Sequence, residues 1–517
     1  MDNRLESLAP ELLLDVLSYI DQAEEDEEQE HDNRRRDLCA ICLTSRTLCA
    51  LATPLLYSSF YTNRCQQSFW PFARTLSTRP DLVQYVRYMW LWPCQAREKV
   101  LPSREDFKHL AQALTPLTHL PIHSELLLAC GSGCITALNV AILCLATSVR
   151  ELDIAQDSVL GTNEEPSEEE KCRCCPVLAD WLYEAFSLSQ GSRYPNLTSV
   201  TLVGKNCNIT DYKLARLFLQ LPQVMELGCS RFGTAHDAVT WDMTSVNASQ
   251  LRKLSIVESW PNTSDLIGLV RCCEDLESLN IVWDDTNHWE APAGWVVPPV
   301  VQLSNVLNAT QVHRKTLKSL YLHSNADPAL THGTVGGLLY TFDALTTLRL
   351  DREHIVGQQS WAHADMRLPP TLEHLMIDTY GAIDDLPDLL LAVSRAECTG
   401  LVSVVVRFPV HDGINNDWQG SVCETLGTTP QEHAYGLDGV WQLFIGDLNI
   451  AGKKELIVFV AGLKTNEFCA NFGRVLQIEG AMKVIRTAAV TKAPDLDAAA
   501  NVEQIKVGLA AALQSSG

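Results

Sequence analysis

Leu197-Thr198-Ser199-Val200-Thr201-Leu202 places apolar residues at i, i+3 and i+5. The same spacing returns in Val224-Leu227-Cys229, Leu251-Leu254-Ile256 and Leu276-Leu279-Ile281. The first positions lie 27, 27 and 25 residues apart (224−197, 251−224, 276−251). Between these segments, Leu214, Leu217, Phe218 and Leu221, and again Leu266, Leu269, Val270 and Cys273, fall at i, i+3, i+4 and i+7, the stripe of an amphipathic helix. One short strand and one helix per period of roughly 20–29 residues is the signature of a stacked repeat. No single unit of this kind buries its own apolar face, so the units must pack on one another. The spacing predicts a curved array with a strand-lined concave side, a shape suited to holding another macromolecule.

The pattern extends both ways. Downstream stand Leu317-Leu320-Leu322, Leu345-Leu348-Leu350, Leu372-Leu375-Ile377 and Leu401-Val404-Val406, spaced 28, 27 and 29 (345−317, 372−345, 401−372). Helical partners recur at Val335, Leu338, Leu339 and Phe342, and at Leu386, Leu389, Leu390 and Val393. Upstream, Val86-Met89-Leu91 and Val149-Leu152-Ile154 fit at wider gaps of 63 and 48 (149−86, 197−149), which implies irregular units. Ten strand segments result, over residues 63–418, with insertions expected near 156–180 and 284–300. Leu126 to Val149 carries no charge and is long enough to cross a bilayer. Gly131, Ser132, Gly133 and Asn139 inside it favour buried repeat helices broken at the glycines.

Side chains alternate along a strand, so the residue between the last two apolar positions points away from the core. Those residues are Ser255, Asn280, Tyr321, Arg349 and Met376, with Lys253, Lys318 and His374 beside them. This polar strip with one aromatic suits a protein or peptide better than a small apolar ligand. Lys253, Asn280, Tyr321 and Arg349 are therefore candidate contacts for a protein substrate. Trp289 and Trp295, in the long interval before Leu317, join them because tryptophan is enriched at interface hot spots. The plainer alternative is a solvated sheet face with the tryptophans tucked against the array.

Composition narrows the function. A chain of 517 residues with 46% hydrophobic content can bury a large core. A net charge of −23, with no basic patch of useful size, argues against a nucleic-acid partner. The 18 cysteines are scattered, and Met1 to Pro10 lacks a basic stretch followed by an apolar run. Reduced thiols and a cytoplasmic or nuclear setting are expected, with no membrane partner. Cys39 and Cys42 form at most half of a zinc site, and Cys172, Cys174 and Cys175 lack a fourth ligand. The sequence shows no nucleophile elbow, no His-Glu-x-x-His pair and no phosphate loop, since Gly446 to Lys454 is wrongly spaced. No catalytic, cofactor-binding or metal-binding residue is assigned, and no cofactor is expected.

The first 57 residues read differently. Pro10 suits a first helical turn, with Ser7 as its cap. Leu13, Val16, Leu17 and Ile20 form a helical stripe. An acidic run, Asp21 to Asp32, is expected as a loop. A second helix is expected from Asp37 to Ala52, with Leu38, Ile41, Cys42, Ser45, Leu48 and Ala52 on one face and Pro54 interrupting it. Leu8-Ala9-Pro10-Glu11-Leu12-Leu13, then Cys42-Leu43-Thr44-Ser45-Arg46, then Leu51-Ala52-Thr53-Pro54-Leu55-Leu56-Tyr57 resemble the F-box in the form common in fungal F-box proteins. Ala9 departs from the family's first proline, and the acidic run lengthens the first loop. The resemblance implies a three-helix module over residues 1–62 that docks on the Skp adaptor of a cullin-type ubiquitin ligase core, with Leu8, Pro10, Glu11, Leu12 and Val16 as contacts. The downstream half resembles the leucine-rich-repeat F-box proteins, although Cys94 and Asn325 alone stand at the repeat's Asn/Cys position. The expected architecture is α/β: a helical F-box, then an irregular leucine-rich-repeat solenoid with a period of about 27 residues, then an unassigned region, residues 419–517. In that region Leu456 to Leu463 is strand-like and Pro494 to Gln514 is alanine-rich with a weak helical stripe. The implied role is that of a non-catalytic substrate receptor. The alternatives are a leucine-rich-repeat scaffold whose helical start only caps the array, and, least favoured, an enzyme in residues 419–517.

Overall fold

The computed structural model describes residues 8–21, 28–61, 69–91, 101–119, 122–157, 178–187, 193–205, 212–231, 249–259, 261–283, 301–324, 331–332, 334–356, 366–378, 403–408, 441–450 and 453–462. They fall into two compact units: the described residues up to Ser259 with Cys272–Glu274, and the rest.

The first unit begins with α1 (Pro10–Asp21), α2 (Glu28–Cys42) and α3 (Arg46–Leu56). Leu17, Leu38 and Ala52 form their common core, with Ile41, Leu51, Leu55 and Leu56 packed against it. Three details depart from the sequence expectation. The helix α2 starts at Glu28, inside the acidic run, so part of that run is helical. The helix expected from Asp37 to Ala52 is two helices, because Ser45 adopts an extended conformation and its hydroxyl accepts from the Leu48 N–H at 3.1 Å, capping a new helix. That helix runs two residues past Pro54 to Leu56, with the Tyr57 N–H closing on Thr53 O at 3.2 Å. Ser7 lies outside the described residues.

From here strands and helices alternate: β1 (Ser59–Tyr61), α4 (Phe69–Thr78), α5 (Pro80–Val83), β2 (Tyr88–Leu91), α6 (Arg104–Leu114), α7 (His123–Gly131), α8 (Ile135–Leu145), β3 (Glu151–Asp157), α9 (Leu178–Ser187), β4 (Ser199–Lys205), α10 (Tyr212–Leu219), β5 (Glu226–Ser230) and β6 (Lys253–Ser259). The apolar stretch Leu126 to Val149 is split between α7 and α8 at a turn where Gly133 has φ 83, a backbone that glycine adopts without strain. Among the described residues, no helix is long and apolar enough to cross a membrane.

The six strands pair in parallel, in chain order. The register puts Met89, Leu152, Val200, Leu227 and Leu254 in one row and Leu91, Ile154, Leu202, Cys229 and Ile256 in a second. Both rows are buried, and so are Val86, Val149, Leu197, Val224 and Leu251, which begin each segment. Each strand from β2 to β6 is entered through the same backbone device: one carbonyl of the preceding strand's approach accepts two successive N–H groups, as Arg150 O does from Thr198 and Ser199 at 2.8 and 3.1 Å.

The second unit comprises α11 (Thr263–Cys272), β7 (Ser278–Trp283), β8 (Val301–Gln302), α12 (Leu303–Thr310), β9 (Ser319–Ser324), β10 (Thr331–His332), α13 (Gly336–Leu339), β11 (Thr347–Asp351), α14 (Arg352–Val356), β12 (His374–Asp378), β13 (Ser403–Phe408), β14 (Trp441–Ile450) and β15 (Lys453–Gly462). Strands β7, β9, β11, β12 and β13 are parallel neighbours in that order. Leu279, Leu320, Leu348 and Leu375 form one buried row across them, and Ile281, Leu322, Leu350 and Ile377 the next. Then the sense reverses: β14 pairs antiparallel with β13, and β15 with β14. Gly446 and Lys454 therefore lie on paired strands, which is not where a phosphate loop sits. The chain is thus a mixed α/β protein built on parallel strands, and all ten segments read from the leucine spacing are strands.

Candidate functional site

The helix α1 is apolar on two faces, and only one of them is used inside the chain. Leu13 and Leu17 are buried. Leu12 and Val16, four residues apart, lie on one line of the helix, and Leu8 stands just before its first turn. Leu12 is 52% and Val16 47% exposed, and Leu8 and Leu14 are exposed as well. Val16, expected in the helix's core stripe, therefore faces outward. Pro10 and Glu11 share this exposure, so all five residues named as adaptor contacts are accessible. A row of aliphatic side chains left in water on a short helix is the kind of patch that marks a binding surface.

The outward strip of the first unit is polar and internally paired. The Tyr88 hydroxyl donates to the Asp153 carboxylate at 2.5 Å across β2 and β3. The Lys253 ammonium meets Glu226 at 2.6 Å across β5 and β6, with both side chains exposed. Such a pair contributes only about 0–1 kcal/mol, so Lys253 can exchange Glu226 for another carboxylate at little cost. Gly228 keeps the strip flat: a Cβ there would meet Thr201 Cγ2 at 3.3 Å.

In the second unit, Asn280, Tyr321, Arg349 and Met376 form one continuous row, each opposite the next. Tyr321 and Arg349 are brought into contact. The guanidinium lies 4.1 Å from the ring centroid, a cation–π stack. The same group grips Asp378 with two N–H donors, Nε to Oδ2 at 2.5 Å and Nη2 to Oδ1 at 3.2 Å. Arg349 is thus a fixed part of the surface. Trp289 and Trp295 lie outside the described residues, as do Asn325, Cys172, Cys174, Cys175 and the alanine-rich stretch Pro494 to Gln514.

Under this row lies a polar cluster that the sequence reading missed. His323, Asp351 and Asp378 stand at i+6 of three successive periods (323−317, 351−345, 378−372). Alternation assigns that position to the outer face, yet all three are buried. His323 Nδ1 lies 2.6 Å from Asp351 Oδ1 and 3.5 Å from Asp378 Oδ2. The other Asp351 oxygen accepts the Ser324 N–H at 2.5 Å. His354 Nδ1 lies 3.6 Å from Asp351 Oδ2, and the His354 ring meets Trp283 edge to face at 6.1 Å. Burial holds the His354 imidazole below its ordinary pKa, so it is poised to stay neutral. Two carboxylates and one imidazole converging in a low-dielectric spot can hold a cation or lock the strand ends together. The signal that would have found them is the polar residue one step past each leucine frame, three times over.

No family model matches the chain, and no curated protein matches it.

Proposed function

We propose that the chain is the substrate-receptor subunit of a Skp-cullin-F-box type ubiquitin ligase: α1 docks on the Skp adaptor, and the outward strips of the strands hold a protein substrate. The observation that carries this reading is the pair of exposed aliphatic side chains on α1, Leu12 and Val16, beside the face that Leu13 and Leu17 bury. The chain needs no catalytic group of its own in this role. Holding a substrate lysine beside the ligase's transfer machinery raises its effective concentration, and the chemistry belongs to other subunits. Degenerate leucine-rich repeats are the form of parallel array that the period of about 27 residues supports best.

The test is a pull-down of the Skp adaptor with the intact chain and with Leu12→Asp/Val16→Asp. Both side chains are about half exposed, so the fold tolerates the change. Covering each contributes about 1 kcal/mol in the complex, and losing both weakens binding by about 30-fold or more. Equal binding, or none by either protein, rejects the proposal.

A second reading is a non-catalytic scaffold in which α1–α3 cap the array. It draws support from β1, which follows α3 directly and pairs in register with β2 through Ser59–Tyr88 and Phe60–Met89. It expects partner complexes that form without the adaptor and survive removal of residues 1–60.

A further inference from the structure

We propose that His323, Asp351 and Asp378 form a binding site for one divalent transition-metal cation, a zinc-class ion held by one imidazole nitrogen and two carboxylate oxygens. The argument is independent of the ligase reading. Of three neighbouring parallel strands, β11 and β12 end on Asp351 and Asp378 and β9 ends one residue past His323, and one ligand atom from each of the three residues lies within 4.8 Å of the others. Bonds of about 2.0–2.2 Å to nitrogen and oxygen place neighbouring tetrahedral ligands about 3.3–3.6 Å apart. His323 Nδ1 and Asp378 Oδ2 already stand at 3.5 Å. His323 Nδ1 and Asp351 Oδ1 are at 2.6 Å because a proton joins them. Binding replaces that proton with the cation: the Nδ1–H bond breaks and its proton leaves to solvent, Nε2 takes up a proton from solvent so that the ring stays a neutral imidazole, and the pair opens by about 0.7–1.0 Å to the coordination distance. Water completes the shell.

Both carboxylates are already oriented from behind, which is how ligating carboxylates are usually supported. Asp351 has its second oxygen fixed by the Ser324 N–H. Asp378 is held by the two donors of Arg349, and each of its oxygens has a further lone pair. The charges also fit. Two buried carboxylates face one guanidinium, and a dication offsets the carboxylate charge that the guanidinium leaves uncompensated. The imidazole selects against magnesium and calcium, which prefer all-oxygen shells. An ion here ties together residues 28 and 27 positions apart in sequence (351−323, 378−351).

Cobalt(II) is the probe, because thiolate ligation announces itself by charge-transfer absorption and the chain has 18 cysteines. The purified full chain, titrated with cobalt(II), is expected to bind one equivalent with ligand-field bands and no thiolate band. His323→Gln and Asp351→Asn are expected to weaken that binding by about 100-fold or more while far-ultraviolet dichroism is unchanged. Binding of the same equivalent by folded variants overturns the proposal, and so does the absence of a thiolate-free equivalent in the wild type. Should the variants not fold, X-ray absorption of the zinc-loaded wild type decides: a nitrogen/oxygen shell with one histidine supports the site, and sulfur ligation overturns it.

Discussion

Removing Arg349 and removing Asp378 are expected to have very different costs, although the two groups share one ion pair. The Asp378 side chain is 2% exposed and the Arg349 side chain 19%. In Arg349→Met the carboxylate remains in the interior without the guanidinium, and breaking a buried pair in this way costs about 3–5 kcal/mol. In Asp378→Asn the guanidinium keeps the Tyr321 ring and its path to water, and the loss is about 1–2 kcal/mol. With a urea m-value of about 3 kcal/mol/M, the midpoint falls by about 1.0–1.7 M in the first variant and about 0.3–0.7 M in the second. The double variant is expected close to Asp378→Asn alone, well short of the sum, because the stranded charge is gone. The assay is equilibrium urea unfolding followed by tryptophan fluorescence, with hydrogen exchange on β11 and β12 to show that the loss is local to this unit. Asp378→Asn costing as much as Arg349→Met, or additive costs, would refute the burial argument.

Two further outcomes follow from the packing. Leu320→Ala, at a fully buried position between Leu279 and Leu348, is expected to cost about 3–5 kcal/mol, whereas Leu12→Ala on the exposed face of α1 changes stability by less than about 0.5 kcal/mol; equal midpoint shifts in urea would contradict the assigned faces. Burial pushes the Cys144 thiol up to about 11 and the Cys229 thiol up to about 12, and raises Cys130 further still. A thiol with a raised folded-state pKa gives up its proton first in the unfolded chain, so its stabilising contribution is intact below the ordinary value of 9.0 and is lost above it. Three such groups remove about 3 kcal/mol between pH 9 and pH 10, and a thiol-reactive probe at pH 8 is expected to label exposed Cys39 and to spare these three until urea unfolds the chain. A flat stability profile from pH 8 to 10 contradicts this.

Much of the fold was legible because burial and spacing say the same thing. Leu197, Val200 and Leu202 repeat as a frame, and parallel pairing in register is the arrangement that brings all the frames to one side. What the frame lacks, the reading missed. The strand β1 buries Phe60, whose core contacts are aromatic: it stacks on Phe72 with ring centroids 4.4 Å apart. The break between α2 and α3 turns on one hydroxyl, Ser45, inside an otherwise unbroken apolar stripe. The His323–Asp351–Asp378 cluster was hidden by the alternation rule itself, which sends i+6 to solvent and says nothing of what covers the strand ends. The α1 contacts were named through a resemblance. Helix geometry turns Leu12 and Val16 about 100° from Leu13 and Leu17, to the edge of the buried stripe, and the structure leaves that edge exposed.

Backbone chemistry gives a stack of parallel strands no instruction to stop growing. The first strand, Ser59–Tyr61, is three residues long, against a usual five or six, and the Arg35 guanidinium donates to its Ser59 carbonyl at 3.3 Å. A foreign chain arriving on that flank finds too short a ladder to zip onto and a cation beside it, two devices that oppose fibre growth. Polymerisation is thereby discouraged at the site where a ten-residue strand would invite it.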